Sequence, residues 1–469
     1  MNKSRKAVFS VRLIAVVGAL AMLASGCGAR WSPARERQAI EQEPGPGTGD
    51  SVYGEETPGT DLSQSPGEVV SSPGEIAIPV GSSSPGTGTG PGKTPVPGAT
   101  SVNPGPHPGV TDKEIKVCYL VPKTGATPLP TNWESGANLY WDYMKKKGRT
   151  IFGRNVKIVI KDTKSQVDTG LSVARECVNE GYFTFVTLDG FAEAAGIGKF
   201  LDGKGIPNVL IQASPDASAP SRANTFAITI DHRVQGRLIA DYWTNGDLKG
   251  KKYAVVREDF TELIPGTEAL KQRLAEKGIK LVAEERVDGD GNDFSSTVLT
   301  LRKADAQVVW FYGGPAALIK LSQQSHAAAY DPVWFGNSIS WNFDMAAQLG
   351  NANGALKDAR AFSPWVALSS PAANTYKTAY RELYPNETPD DLGLVGWGVG
   401  EVLEAALQAA GPNLGYNTFR NAFQNLNITP ETWCPLRFGP GVRVGTTSVA
   451  EYRISTDHWV QVGTFRTSF

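Results

Sequence analysis

Four cysteines and four histidines are the residues of this 469-residue chain best suited to nucleophilic or metal chemistry, and their spacing supports neither. His107, His232, His326 and His458 are far apart and fall in different segments. No HExxH, GxSxG or paired Cys-His arrangement occurs. Cys118, Cys177 and Cys434 lack CxxC spacing, so zinc is not expected. One disulfide among the three, or burial as small hydrophobes, both stay open. GTGTGPGKT invites a phosphate-loop reading, but the pattern needs glycine where Thr87 precedes Lys93, and no strand leads into it. GIGKFLDG lacks dinucleotide-loop spacing. The adjacent acids Glu258 and Asp259 suit a solvated loop or a ligand contact better than an acid/base dyad. The residues therefore point to non-covalent binding, with no catalytic group, metal or cofactor expected.

Charge excludes a second class of partner. Lys and Arg number 46 and Asp and Glu 47, interspersed, which gives no basic face for nucleic acid. The N-terminus is informative. Lys3, Arg5, Lys6 and Arg12 precede an apolar run from Leu13 to Ala24, and small residues lead to Cys27. That order is a secretory signal, too short for the roughly 20 residues of a membrane span. A cysteine at the cut resembles the lipobox of bacterial lipoproteins, with Leu23 one place earlier than usual. The resemblance implies a signal over 1–26, lipid on Cys27 and a place on the outer face of the cell membrane. Residues 27–109 are dominated by Pro, Gly, Ser and Thr and cannot bury enough apolar surface to fold. Fully extended at about 3.1 Å per residue, such a tether reaches well beyond 200 Å.

The elements that must position a binding site begin at Val110. Strand-like EIKVCYLV, NVKIVIK, YFTFVTL and IPNVLI alternate with helical segments starting near Trp133, Thr169 and Ala192. The same grammar restarts after Ile230. Strands are expected at Lys252–Arg257, Lys280–Arg286, Ala306–Tyr312 and Pro332–Gly336, with helices between them, then at Pro371–Leu383 and Trp397–Ala410. A hairpin is expected over Ala450–Thr464. Repeated β-α alternation predicts an α/β protein with two doubly wound parallel sheets covered by helices.

Several segments in order then resemble a known family. GVTDKEIKVCYLVPKTG, IFGRNVKIVIKDT, ARECVNEGYFTFV, GIPNVLIQASP, NTFAITIDHRVQG and VDGDGNDFSSTVLTLRKADAQVVWFYGG are similar to the type 1 periplasmic binding proteins. The branch is the one that includes leucine/isoleucine/valine-binding proteins and the amide and urea receptors. The resemblance implies two lobes joined by three hinge crossings, near Thr229-Ile230, Phe335-Gly336 and Phe438-Gly439. The first lobe would comprise 110–229 and 337–438, and the second 230–336 and 439–469. It also implies a monomer that closes on a small solute and presents it to an ABC permease. A sensor module for a membrane receptor and a ligand-free wall scaffold share the fold.

In such folds ligands bind beyond the carboxyl ends of strands, where strand order reverses. The loops placed there carry Thr124, Pro128 and Leu129; Asp189, Gly190, Phe191 and Ala192; and Ala213 and Ser214. From the second lobe come Glu258, Asp259 and Phe260, then Asp290 and Gly313, with Trp341 past a hinge. The amides opening the helix at Ala192 suit a carboxylate, and Asp162 is placed to hold a loop. Amino-acid binders of the family commonly have small hydroxyl residues where Phe191 and Ala192 stand, and Tyr-Gly where Phe260-Thr261 stands. Their acid for the ligand's ammonium often falls near Gly291 or Asn292, whereas Asp293 here suits a helix cap. Phe191, Phe260 and Trp341 fit a more apolar or aromatic pocket, or core packing. Amino acids, amides, small carboxylates and aromatic acids are the expected solutes.

Overall fold

The computed structural model describes residues 107–125, 132–188, 192–211, 218–219, 221–337 and 353–469. The chain opens with strand β1 (Glu114–Val121), helix α1 (Asn132–Lys146) and β2 (Asn155–Asp162). It continues through α2 (Val167–Asn179), β3 (Thr184–Thr187), α3 (Ala192–Gly203), β4 (Asn208–Leu210) and β5 (Thr225–Ile230). A second series follows: α4 (His232–Asn245), β6 (Tyr253–Glu258), α5 (Ile264–Ala275), β7 (Ala283–Val287) and α6 (Ser295–Lys303). It ends with β8 (Val308–Tyr312), α7 (Pro315–Ala327), β9 (Val333–Gly336) and β10 (Arg360–Ser363). Then come α8 (Asn374–Leu383), α9 (Asp391–Ala410), α10 (Tyr416–Gln424) and the short strands β11 (Asn427–Ile428) and β12 (Leu436–Arg437). The last strands are β13 (Val444–Thr446), β14 (Val449–Ser455) and β15 (His458–Arg466).

The first sheet runs β13-β5-β4-β3-β1-β2 with every neighbour parallel. The second runs β15-β14-β10-β9-β8-β6-β7, parallel except at β10-β14 and β14-β15. Strands buried on both faces lose the alternation of a half-exposed strand, which is why β1, β6 and β8 read as apolar runs. Helices cover both faces. On α2, Val167, Gly170, Leu171, Ala174 and Cys177 form the buried stripe, at the spacing that a 3.6-residue turn brings to one side. Cys118 of β1 and Cys177 of α2 form a disulfide, with Cα atoms 6.4 Å apart. Cys434 stays a free, buried thiol, and burial pushes its pKa up to about 12.

Two expected boundaries shift. β10 pairs with β9 and β14, so the chain stays in the second lobe past Phe335-Gly336 and leaves it at Pro364. A four-residue strand containing a buried arginine gives little pattern to read. β13 pairs with β5, so the last crossing falls between Thr446 and Val449, not at Phe438-Gly439. α9 also begins at Asp391, ahead of the expected Trp397. Gly393, Gly396, Gly398 and Gly400 disguise its first turns, because glycine is a poor helix former. Close packing explains them. A Cβ on Gly136 of α1 would run into the Gly393 carbonyl oxygen, one on Gly396 into the Trp133 carbonyl, and one on Gly400 into the Tyr140 ring.

Candidate ligand site

All three crossings leave a parallel strand at its carboxyl end: β5 at Ile230, β10 at Ser363 and β13 at Thr446. The carboxyl edges of both sheets therefore adjoin the crossings. In each sheet the order reverses at one point, between β1 and β3 and between β6 and β8. Those two crests are where a ligand of such a fold sits.

The crossing segments are tied to one another. Trp433 Nε1 donates to the Ile228 carbonyl oxygen of β5 at 2.7 Å. Val366 N–H donates to Thr432 O at 3.0 Å and Cys434 N–H to Pro364 O at 2.7 Å, bracing the second crossing. Tyr452 of β14 donates its hydroxyl to Trp365 O at 2.8 Å. Glu401 accepts from Thr432 N–H, the Thr432 hydroxyl and Trp397 Nε1. Burial raises its pKa, and those three hydrogen bonds only partly oppose the rise. Nothing in the sequence pattern around Thr432-Trp433-Cys434 announces this hub.

On the first crest, Asp162 at the end of β2 organises the loop after β1. Its Oδ1 accepts the N–H groups of Lys123 (2.9 Å) and Thr124 (3.2 Å), and its Oδ2 accepts the Thr124 hydroxyl at 2.7 Å. Burial would raise this carboxyl's pKa, but the Thr124 hydroxyl and the backbone donors outweigh it and hold the group ionised. Thr124 is thus exposed at the crest with its hydroxyl already engaged. α3 opens at Ala192 just past the carboxyl end of β3. Pro128, Leu129, Asp189, Gly190, Phe191, Ala213, Ser214, Trp341 and Cys27 lie outside the described residues, as does the side chain of Ala192.

On the second crest the adjacent residues of β6 diverge. Arg257 is opposite Tyr312 of β8 in register, and both are buried. Glu258 points to the other face and is 5 % exposed. A Cβ on Gly313 would lie 2.6 Å from Glu258 Cγ, and one on Gly289 2.7 Å from its Oε1, so only glycines leave room for this side chain. Asp259 turns outward. It is 3.5 Å from Arg257 and 3.6 Å from Arg286, and it lines a polar groove of about 420 Å³ along edge strand β7. Phe260 is half-buried against the core between α4, α5 and the sheet. Asp290 is exposed, its N–H held by Asp288. Asp293 accepts the N–H and hydroxyl of Ser295, the first residue of α6, from one place before the N-cap; the N-cap is Phe294, one residue later than expected, and no side chain caps it. Of these acids, Glu258 is the one buried at the point where strand order reverses. Among the described residues no group of His, Cys, Asp and Glu is arranged to hold a metal ion.

The family described as periplasmic binding protein matches residues 114–451, most of the folded body. The chain belongs to the type 1 periplasmic binding proteins, in the branch like the leucine/isoleucine/valine-binding proteins. A relative from Brucella melitensis, Leu/Ile/Val-binding protein homolog 3, is 28% identical over 306 residues, covering 64% of this chain and 80% of its own. Among solved structures, a fatty acid ABC transporter substrate-binding protein from Thermomonospora curvata superposes with a TM-score of 0.67 at 19% identity. It covers 77% of this chain and 94% of its own. A branched-chain amino acid ABC transporter protein from Thermus thermophilus with bound valine gives 0.68 at 13% identity, covering 76% and 98%. Both show the same fold. Members of this family are binding proteins of transporters and act outside the cytoplasm. No described helix is long and apolar enough to cross a membrane.

Proposed function

We propose that this protein captures a small organic solute between its two crests and delivers it to an ABC permease. The observation that carries this reading is the shared edge: two sheets, each with its reversal point, present their carboxyl ends to one hinge with three crossings. A solute touching both crests at once favours the closed arrangement by the difference in its affinity for the two states. The relatives' names point to amino acids and fatty acids as solutes in this family. Asp162, Thr124 and the opening amides of α3 serve the first crest; Glu258, Phe260 and Gly313 serve the second. The protein acts as a monomer, held to the outer membrane face by lipid on Cys27 through the Pro/Gly-rich tether.

Thermal unfolding of the chain against amino acids, amides, short carboxylates, fatty acids and aromatic acids tests the reading. A solute at 100 times its dissociation constant adds about 2.7 kcal/mol of stability. An upward shift confined to one chemical class supports capture, and loss of that solute's uptake on deletion supports import over sensing. A flat response across the panel would sink it.

A further inference from the structure

We propose that the first lobe holds a separate ligand site, on the edge of its sheet opposite the crests, where Arg443 and Asp202 together take one hydrogen phosphate ion. The proposal does not depend on solute capture. The site lies at the amino ends of β5 and β13. Arg443 immediately precedes β13, and its carbonyl oxygen accepts the Ala227 N–H of β5 at 2.7 Å. Its guanidinium lies over the Phe226 ring, 5.3 Å from the centroid, and Phe226 stacks in turn on Phe423 of α10. Arg443 is 8 % exposed, and its Nε and Nη1 have no hydrogen-bond acceptor among the described residues. Asp202 of α3 accepts the Asn224 N–H on Oδ1 at 2.7 Å, while its Oδ2 is enclosed with no donor. Buried donors and acceptors left unpaired are costly, and a single ligand that pairs both kinds removes the cost.

The charge balance says what that ligand is. Arg222 and Arg443 both act on the charge of Asp202, and Arg420 acts on that of Arg443. Three guanidinium groups against one carboxylate favour an anion. Arg420 is half-buried on α10, with Nη1 3.4 Å from Asn224 Oδ1 and Nη2 2.8 Å from Asn417 Oδ1. The planar fork of an arginine matches the oxygens of a tetrahedral oxyanion. Asp202 Oδ2 narrows the class, because an ionised carboxylate only accepts hydrogen bonds. The anion must therefore carry a proton of its own to donate. Near neutral pH phosphate keeps at least one. Sulfate and simple carboxylates keep none and meet Asp202 as like charges. A water molecule would pair the same atoms but leave the excess of positive charge.

Calorimetric titration of the full chain with sodium phosphate and with sodium sulfate, at neutral pH and constant ionic strength, tests this. Phosphate should bind at one site per chain, at least about tenfold more tightly than sulfate. Arg443→Met keeps the bulk of the side chain and should weaken phosphate at least about tenfold. Should that variant fail to fold, Arg420→Gln gives the same reading, a several-fold loss for phosphate at the flank of the site. Asp202→Asn presents a donor in place of the acceptor and should bring sulfate level with phosphate. Three results would overturn the proposal: no saturable phosphate binding, which leaves a water at Arg443; equal affinities for the two anions in the parent; or phosphate binding unchanged in the arginine variants.

Discussion

Trp433 and Ile228, distant in sequence, are joined by an indole N–H···O=C hydrogen bond of 2.7 Å that is wholly buried. Ile228 lies in the strand leading to the first crossing. Trp433 is braced against Pro364 and Val366 at the second. One side chain thus fixes two crossings relative to each other. Trp433→Phe keeps most of the ring and leaves the Ile228 carbonyl without this donor. It should cost about 1–3 kcal/mol, read as a lowered urea midpoint at unchanged slope.

The contact between α1 and α9 makes a second expectation. Gly136→Ala or Gly396→Ala would push the two backbones apart and should destabilise by about 1–3 kcal/mol or more. Gly203 at the end of α3 has nothing within 4 Å of the added methyl. Gly203→Ala should be neutral or stabilising by up to about 1 kcal/mol. Equal losses at all three sites would show that helix approach is not what demands the glycines.

His232 makes stability depend on pH. Its ring is buried, with Nδ1 3.1 Å from the Glu262 carbonyl oxygen. Burial holds its pKa below the ordinary value near 6.5, against the weaker upward pull of Glu262 and Asp231. The folded chain therefore resists a proton that the unfolded chain accepts as pH falls through about 6.5. Stability from this group is flat above that pH and declines below it. The unfolding free energy should fall between about pH 7.5 and 5.5 by on the order of 1 kcal/mol more in the parent than in His232→Gln. Parallel profiles would refute the assignment.

The Cys118–Cys177 bridge spans 59 residues. Chain-entropy arguments put the stabilisation from closing such a loop at about 4 kcal/mol. The double variant Cys118→Ala/Cys177→Ala should lose up to that amount. The oxidised parent should carry one free thiol when titrated in denaturant, Cys434, provided Cys27 is lipidated or removed.

The fold was legible because buried parallel strands announce themselves as apolar runs: EIKVCYLV, KYAVVR and AQVVWFY became β1, β6 and β8. The hairpin of β14 and β15 was readable from its alternation and its Ser455-Thr456-Asp457 turn. What escaped were features whose cause is tertiary. β10 is too short and too polar to stand out, and only its partners make it a strand. The glycines of α9 weaken the local helix signal because a neighbouring helix needs the space. At the site, Glu258 and Asp259 are neighbours of the same charge, and sequence cannot tell which is buried. Strand pleating decides it by sending one inward over glycines and the other out to two arginines. The resemblance to the binding-protein family carried the two-lobed reading. It misplaced the later crossings because the strands that define them are only three and four residues long.

The last strand of the first sheet has a consequence for the order in which this protein can be made. β13, residues 444–446, is the outer neighbour of β5, which is buried along its whole length in the finished molecule. A chain emerging from its N-terminus has β1 to β5 available early, yet β5 has no partner on that side until nearly every residue is out. Throughout that interval an apolar strand edge is open to other chains, the condition under which nascent sheets associate wrongly. The first lobe is begun first and completed almost last, so the whole sequence up to Thr446 is needed before either half of the molecule is safe from its neighbours.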